Sequence, residues 1–151
     1  MYNLGNAYCN NGEYAEAIQY YLKTITLDAL HDPAFYNLGY AYHLNGEYDH
    51  AIHSYRLAIK LNPHSAECHF NLASAFSDSG DVQNAIIHYR EAAKLDSENV
   101  QTHLNMAQLL EQTDQPLEAY GAYKRAQVLE PQNYQAEDGL TRMRAILADR
   151  N

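Results

Sequence analysis

Apolar positions along this chain recur at three, four and seven residues, and they come in paired bursts separated by short polar breaks. Between Asp32 and Pro63, Phe35, Leu38, Gly39 and Tyr42 share one helical face, while Ala51, Tyr55 and Ala58 share another. Gly46 divides the bursts and Pro63 follows the second. A glycine there can take the left-handed conformation that closes a helix, and a proline cannot continue one. The pattern predicts a helix A from Asp32 to about Asn45 and a helix B from about Tyr48 to Leu61. Asp32 is expected to cap the first amides, with Pro33 presetting φ in the first turn. Gly39 and Ala51 are small, so the two helices are expected to approach closely there.

The same pattern returns at a 34-residue spacing. One step back lie Leu4, Gly5, Tyr8, Gly12, Ala17 and Tyr21; one step forward lie Leu72, Ala73, Phe76, Gly80, Ala85, Tyr89 and Ala92. A further step reaches Met106, Ala107, Leu110, Ala119, Tyr123, Ala126 and Pro131. The units run over about 1–31, 32–65, 66–99 and 100–133. Met1 aligns with Phe35, so the first helix lacks its first turn, which reads as a piece of a longer array. Gly121 interrupts the last helix B at a cost of up to about 1 kcal/mol against alanine. A close packing contact is the expected compensation. A final helix is predicted from Tyr134 to about Asp149. Its single apolar stripe of Ala136, Leu140, Met143 and Leu147 suits a terminal cap.

These positions resemble the tetratricopeptide repeat, in which a large aromatic, Leu-Gly, Tyr, Ala, an aromatic and Pro recur in this order. The resemblance covers Met1 to about Asn133. It implies an all-α fold, a right-handed superhelical α-solenoid of antiparallel helix pairs, with the A helices lining a concave face. It also implies a scaffold that binds other proteins. His69 and His103 replace the large aromatic, Ala73 and Ala107 the first glycine, and Asp114 the inter-helix glycine; none of these breaks the helical pattern.

Charge narrows the partner. With 19 Asp and Glu against 10 Lys and Arg, the net charge is -9, which disfavours nucleic acid and anionic membranes. No apolar run is long enough for a membrane span, and there is no leader-like start. Cys9 and Cys68 form no ligand-spaced pair and no glycosylation sequon occurs, so a reducing, intracellular and cytoplasmic setting is expected.

Residues just before the Leu or Met of each repeat are Asn3, Asn37, Asn71 and Asn105, an asparagine ladder on the A helices. Each amide offers donor and acceptor, so the ladder can grip the backbone of an extended peptide; equally, each can bond across to the neighbouring repeat. Register places Asn6, Tyr36, Tyr40, His43, Phe70, Leu104, Gln108, Asp78 and Glu111 towards the same face. Tyr36, Tyr40 and Phe70 are the candidate anchors, and partial burial between repeats is the competing reading for Phe70. The basic residues Arg56, Lys60, Arg90, Lys94, Lys124 and Arg125 fall in B helices, which leaves Asp78 and Glu111 uncompensated and favours a neutral or basic partner. Family members that bind chaperones hold a terminal carboxylate with asparagines and cations. Asn6 and Asn37 match that asparagine pair, but Tyr2, Glu67 and Asn71 stand where the cations belong, so a carboxylate clamp is not expected.

No phosphate loop, zinc motif or nucleophile elbow occurs, and no catalytic residue, cofactor or metal is expected. His50, His53 and His88 lack a carboxylate or cysteine at ligand spacing. The leading reading is a protein–protein interaction module that takes a peptide along its inner face. Two alternatives are the non-catalytic recognition arm of a larger enzyme, since the ladder looks like that of O-linked N-acetylglucosamine transferases, and a homo-oligomer formed through the uncapped first helix by Leu4 and Tyr8.

Overall fold

Three inter-helix glycines take the left-handed conformation, with φ of +79° at Gly12 and Gly46 and +88° at Gly80. Asp114 adopts φ 57 at the fourth such place, which a short polar side chain tolerates better than most. Each of these residues closes one helix and admits the next. The computed structural model describes residues 1–150, and among them the order is α1 (Tyr2–Asn10), α2 (Tyr14–Leu27), α3 (Asp32–Leu44), α4 (Tyr48–Leu61), α5 (Ala66–Asp78), α6 (Val82–Leu95), α7 (Val100–Gln112), α8 (Pro116–Leu129) and α9 (Tyr134–Asp149). The fold is an all-α solenoid of helix pairs. Each helix packs on the next in sequence, and α9 covers α8 and α7.

Capping differs from expectation at one point. His31, not Asp32, caps α3, its Nδ1 accepting from the Ala34 amide at 3.1 Å. Asp32 is already helical, so its carboxylate cannot fold back onto those amides; it lies in the first turn, where it suits the helix dipole. Ser65, Asp81, Asn99 and Asn133 cap α5, α6, α7 and α9 through their side-chain oxygens.

The core is built on four tyrosines, Tyr21, Tyr55, Tyr89 and Tyr123, one from each B helix and each at most 2% exposed. The small residue on the paired A helix receives the ring. A Cβ on Gly39 would stand 2.8 Å from Tyr55 Cδ1, and one on Gly5 would stand 2.7 Å from Tyr21 Cε1. Gly121 does not fit that pattern: nothing lies within 4 Å of an added Cβ there, and the residue is exposed. Its packing contact does not exist, because it sits on the solvent face of α8. The glycine that does receive the fourth ring is Gly139 on α9, where a Cβ would come within 2.5 Å of Tyr123.

Buried residues fall into two clusters. The larger runs from Ala51 through Met143, and the smaller joins Ala17, Ile18 and Tyr21 to Leu38 and Ala41. Neighbouring A helices touch one another, α1 with α3 and α3 with α5, and the cap helix α9 touches α7, while among the described residues the B helices make no comparable contact with each other. The stack therefore closes towards its A helices, which form the inner face. On α1, Leu4 is exposed, but Tyr8 is half-buried and stacks on Tyr20 with ring centres 5.2 Å apart. No helix among the described residues is long and apolar enough to cross a membrane.

Candidate peptide-binding face

The asparagine ladder is tied to tyrosines of the preceding repeat. Asn37 donates through Nδ2 to the Tyr2 hydroxyl at 2.8 Å and to Asn6 Oδ1 at 2.9 Å. Asn71 donates to the Tyr36 hydroxyl at 2.6 Å, and that hydroxyl donates to Glu67 Oε1 at 2.8 Å. Asn105 donates to the Tyr89 hydroxyl at 3.0 Å and accepts from Gln101 at 2.6 Å. The change of partner at Asn105 has a simple cause. Tyr2 and Tyr36 are followed at this register by Phe70, which carries no hydroxyl.

Asn6 Oδ1 also accepts from the buried Tyr21 hydroxyl at 2.9 Å, and Ser74 meets the Tyr89 hydroxyl at 2.9 Å. At the equivalent place in the second repeat stands Tyr40, which turns outward and is 41% exposed. The Tyr55 hydroxyl is accordingly buried without a hydrogen-bond partner.

A cleft of ≈ 500 Å³ opens between α1, α3 and α5. Asn6, Tyr36, Asn37, Tyr40 and Asn71 line it, with Cys9, Asn10, Tyr21 and Glu67. A second, polar cleft of ≈ 270 Å³ lies farther along, where Ser74, Asp78, Asn105 and Gln108 meet Tyr89. The face therefore brings together most of the expected residues, split between two clefts. Asn3 is exposed on α1 and lines neither. Phe70 stands edge-on against Tyr89, ring centres 5.5 Å apart, and lines neither cleft. His43 bonds Asp78 at 2.6 Å across α3 and α5 and packs against Tyr48. Leu104, expected on the surface, is only 1% exposed, since its short apolar side chain withdraws into the helix contact.

Two charges differ from the sequence-based expectation. Glu111 is not uncompensated: Arg142 of α9 bonds it through Nε at 2.7 Å and Nη2 at 3.0 Å, and the Tyr123 hydroxyl donates to it at 2.9 Å. These contacts hold the Glu111 carboxyl below its ordinary pKa, against the opposing effect of burial. Asp78 likewise has His43. The cap helix thus carries one cation to the inner face, which a count over repeats alone overlooks. Conversely, Glu67 is more than a missing cation. It lies four residues before Asn71 and so on the same helical face, a signal already present in the spacing.

Two histidines are built into the third pair. His69 Nδ1 lies 3.2 Å from His88 Nδ1, His69 Nε2 faces the Pro63 carbonyl at 3.4 Å, and the His88 ring stacks on Phe76. Burial, with His69 and Arg56 nearby, pushes His88 down to about 4 from an ordinary 6.5. Between these values the unfolded chain binds the proton and the folded chain does not, so stability falls as pH drops from about 6.5 towards 4. Allowing for the partial exposure of the ring, we expect a loss of about 1–2 kcal/mol. Urea unfolding at neutral and mildly acidic pH should show it, and His88→Gln should remove it. His50, by contrast, stacks on Tyr42 and pairs with Glu47 at 3.2 Å. Among the described residues no group of three His, Cys, Asp or Glu side chains could hold a metal ion. Cys68 is buried with its thiol raised to about 12, and burial also raises Cys9.

Family models described as tetratricopeptide repeat match residues 1–29, 33–65 and 66–99. This chain belongs to the tetratricopeptide repeat family. The fourth pair, α7 and α8, lies beyond those matches and repeats the same helix-turn-helix arrangement. Comparison with curated proteins returns no significant match. Among solved structures, the tetratricopeptide repeat domain of Arabidopsis OM64 is 30% identical, with a TM-score of 0.68 over 76% of this chain and 94% of that one. The crystal structure of MamA is 22% identical, with a TM-score of 0.87 over 92% and 81% of the two chains. YrrB, described as a tetratricopeptide repeat protein with an unusual peptide-binding site, is 17% identical, with a TM-score of 0.87 over 99% and 77%. The last two show likeness of fold. The tetratricopeptide repeat is a scaffold for protein–protein interaction, and this chain has that architecture.

Proposed function

We propose that the inner face binds an extended neutral or basic peptide segment of a protein partner. The observation that carries this reading is the cleft between α1, α3 and α5, with Asn37 and Asn71 on its walls and tyrosines beside them. The polar groups these asparagines leave free can bond a peptide, and the aromatic rings supply apolar area for side chains. The four A helices contain Asp32, Glu67, Asp78 and Glu111 and neither Lys nor Arg. The cation that the cap helix adds to this face, Arg142, is already paired with Glu111, which leaves little to attract an acidic partner.

Screening the purified chain against arrays of extended basic, neutral and acidic peptides tests the reading. Basic and neutral sequences are expected to bind, and Asn37→Ala with Asn71→Ala is expected to weaken them at least about tenfold, roughly one to two hydrogen bonds' worth. Circular dichroism should show unchanged helical content. Equal binding by the double variant would leave the ladder with only its role between repeats.

A further inference from the structure

Hydrogen-bond direction in the cleft can be worked out from the chemistry of its members. Glu67 as a carboxylate only accepts, so the single hydrogen of the Tyr36 hydroxyl points to its Oε1. The hydroxyl must then accept from Asn71, which sets Nδ2 on Tyr36 and turns Oδ1 the other way. Asn37 uses both Nδ2 hydrogens, one on Tyr2 and one on Asn6. Only its carbonyl oxygen is left for a ligand. The α3–α5 side of the cleft is therefore rich in acceptors: Asn37 Oδ1, Asn71 Oδ1 and the second oxygen of Glu67, an exposed residue. Donors gather at the α1 end, because Asn6 spends its carbonyl on Tyr21 and Asn37 and keeps its NH₂.

From this polarity we infer that the cleft holds an arginine side chain of the partner peptide, its guanidinium donating to Glu67 and to Asn71 Oδ1 and lying against the exposed ring of Tyr40. The group seated against Glu67 and the two carbonyl oxygens must donate, and the carboxylate favours a positive charge, which excludes carboxylates and phosphates. Guanidinium fits better than ammonium: it is planar, stacks on aromatic rings and presents several N–H groups in a fixed fork. The Asn6 amide at the other end is placed to donate to a backbone carbonyl of the same segment. This inference rests on the peptide-binding reading above and narrows it to one side chain at one place.

The test uses three nonapeptide libraries with degenerate flanks and a fixed central arginine, lysine or citrulline, the last keeping the shape of arginine without its charge. Binding to the whole chain is read by fluorescence anisotropy, alongside Glu67→Gln and the Asn37/Asn71 double alanine variant. Glu67 is exposed, and its replacement by glutamine is nearly isosteric. Arginine is expected to bind at least about tenfold tighter than citrulline, with lysine between them, and Glu67→Gln is expected to bring all three together. Arginine and citrulline binding equally, or arginine retaining its lead in Glu67→Gln, would overturn the arginine site; the groove would still stand if the double alanine variant lost binding. Lysine matching arginine would overturn it too, since charge anywhere on the face would then suffice. Absence of binding by every library would remove the groove reading along with it.

Discussion

Tyr89→Ala is expected to destabilise the chain by about 3–5 kcal/mol, the range for emptying a large aromatic site in a packed core. The ring is 2% exposed and central to the larger cluster, and it meets Phe70. Its hydroxyl also links two repeats through Ser74 and Asn105. Urea unfolding followed by circular dichroism measures the loss, which is a large share of the stability of an ordinary domain. Phenylalanine at Tyr89 and Tyr55 separates ring from hydroxyl. Tyr89→Phe takes the partner from Asn105 Nδ2 and leaves Ser74 only its bond to the Phe70 carbonyl, and should cost about 1 kcal/mol. Tyr55→Phe should be neutral or stabilising by about 1 kcal/mol, because the hydroxyl it removes is buried and unpartnered. A loss at Tyr55 as large as that at Tyr89 would mean that the outward turn of Tyr40 does not deprive the Tyr55 hydroxyl of a partner.

The second large effect is overpacking at Gly39. Leucine there would drive its side chain into the Tyr55 ring, already 2.8 Å from where a Cβ would sit and fully buried. We expect a cost of about 1–3 kcal/mol in unfolding measurements. Alanine would be the weaker test. Repeats three and four carry Ala73 and Ala107 at this position, both 0% exposed, so the pair can open by a methyl group. Gly121→Ala is the control of opposite sign. Nothing lies near its added Cβ, and exchanging glycine for alanine in an exposed helix should stabilise by up to about 1 kcal/mol. Ala51→Leu, on the buried face of α4, belongs with Gly39 in sign.

The repeat architecture was legible because its signals are local and multiply stated. Helix periodicity, inter-helix glycines and buried tyrosines return in register, so an error at one position is corrected by the next. The last helix was also readable, from Tyr134 to Asp149, through its single apolar stripe. What escaped were contacts between side chains far apart in sequence. Nothing local to Gly139 announces that Tyr123 will lie against it, and Gly121 looks like the more natural candidate from its place in α8. The pairing of Arg142 with Glu111 crosses 31 positions and leaves the repeat register altogether. The ladder was visible, but not its direction. Which way each amide points depends on where Tyr36 sends its one hydrogen, and that depends on Glu67.

The division of the core into two clusters has a consequence for motion. Besides the hydrogen bonds from Asn37 to Tyr2 and Asn6, the apolar hold of α1 and α2 on the rest is the smaller cluster, which reaches Leu38, Ala41 and the flank of Tyr42. An array whose units stabilise one another only at their borders can open from its less buried end without melting throughout. Amide hydrogens of α1 and α2 should therefore exchange with deuterium sooner than those of α5 and α6. Asn6, Cys9 and Asn10 of α1 form one wall of the larger cleft, so whatever occupies that cleft must slow this exchange. Occupancy and local folding would then be two readings of a single equilibrium.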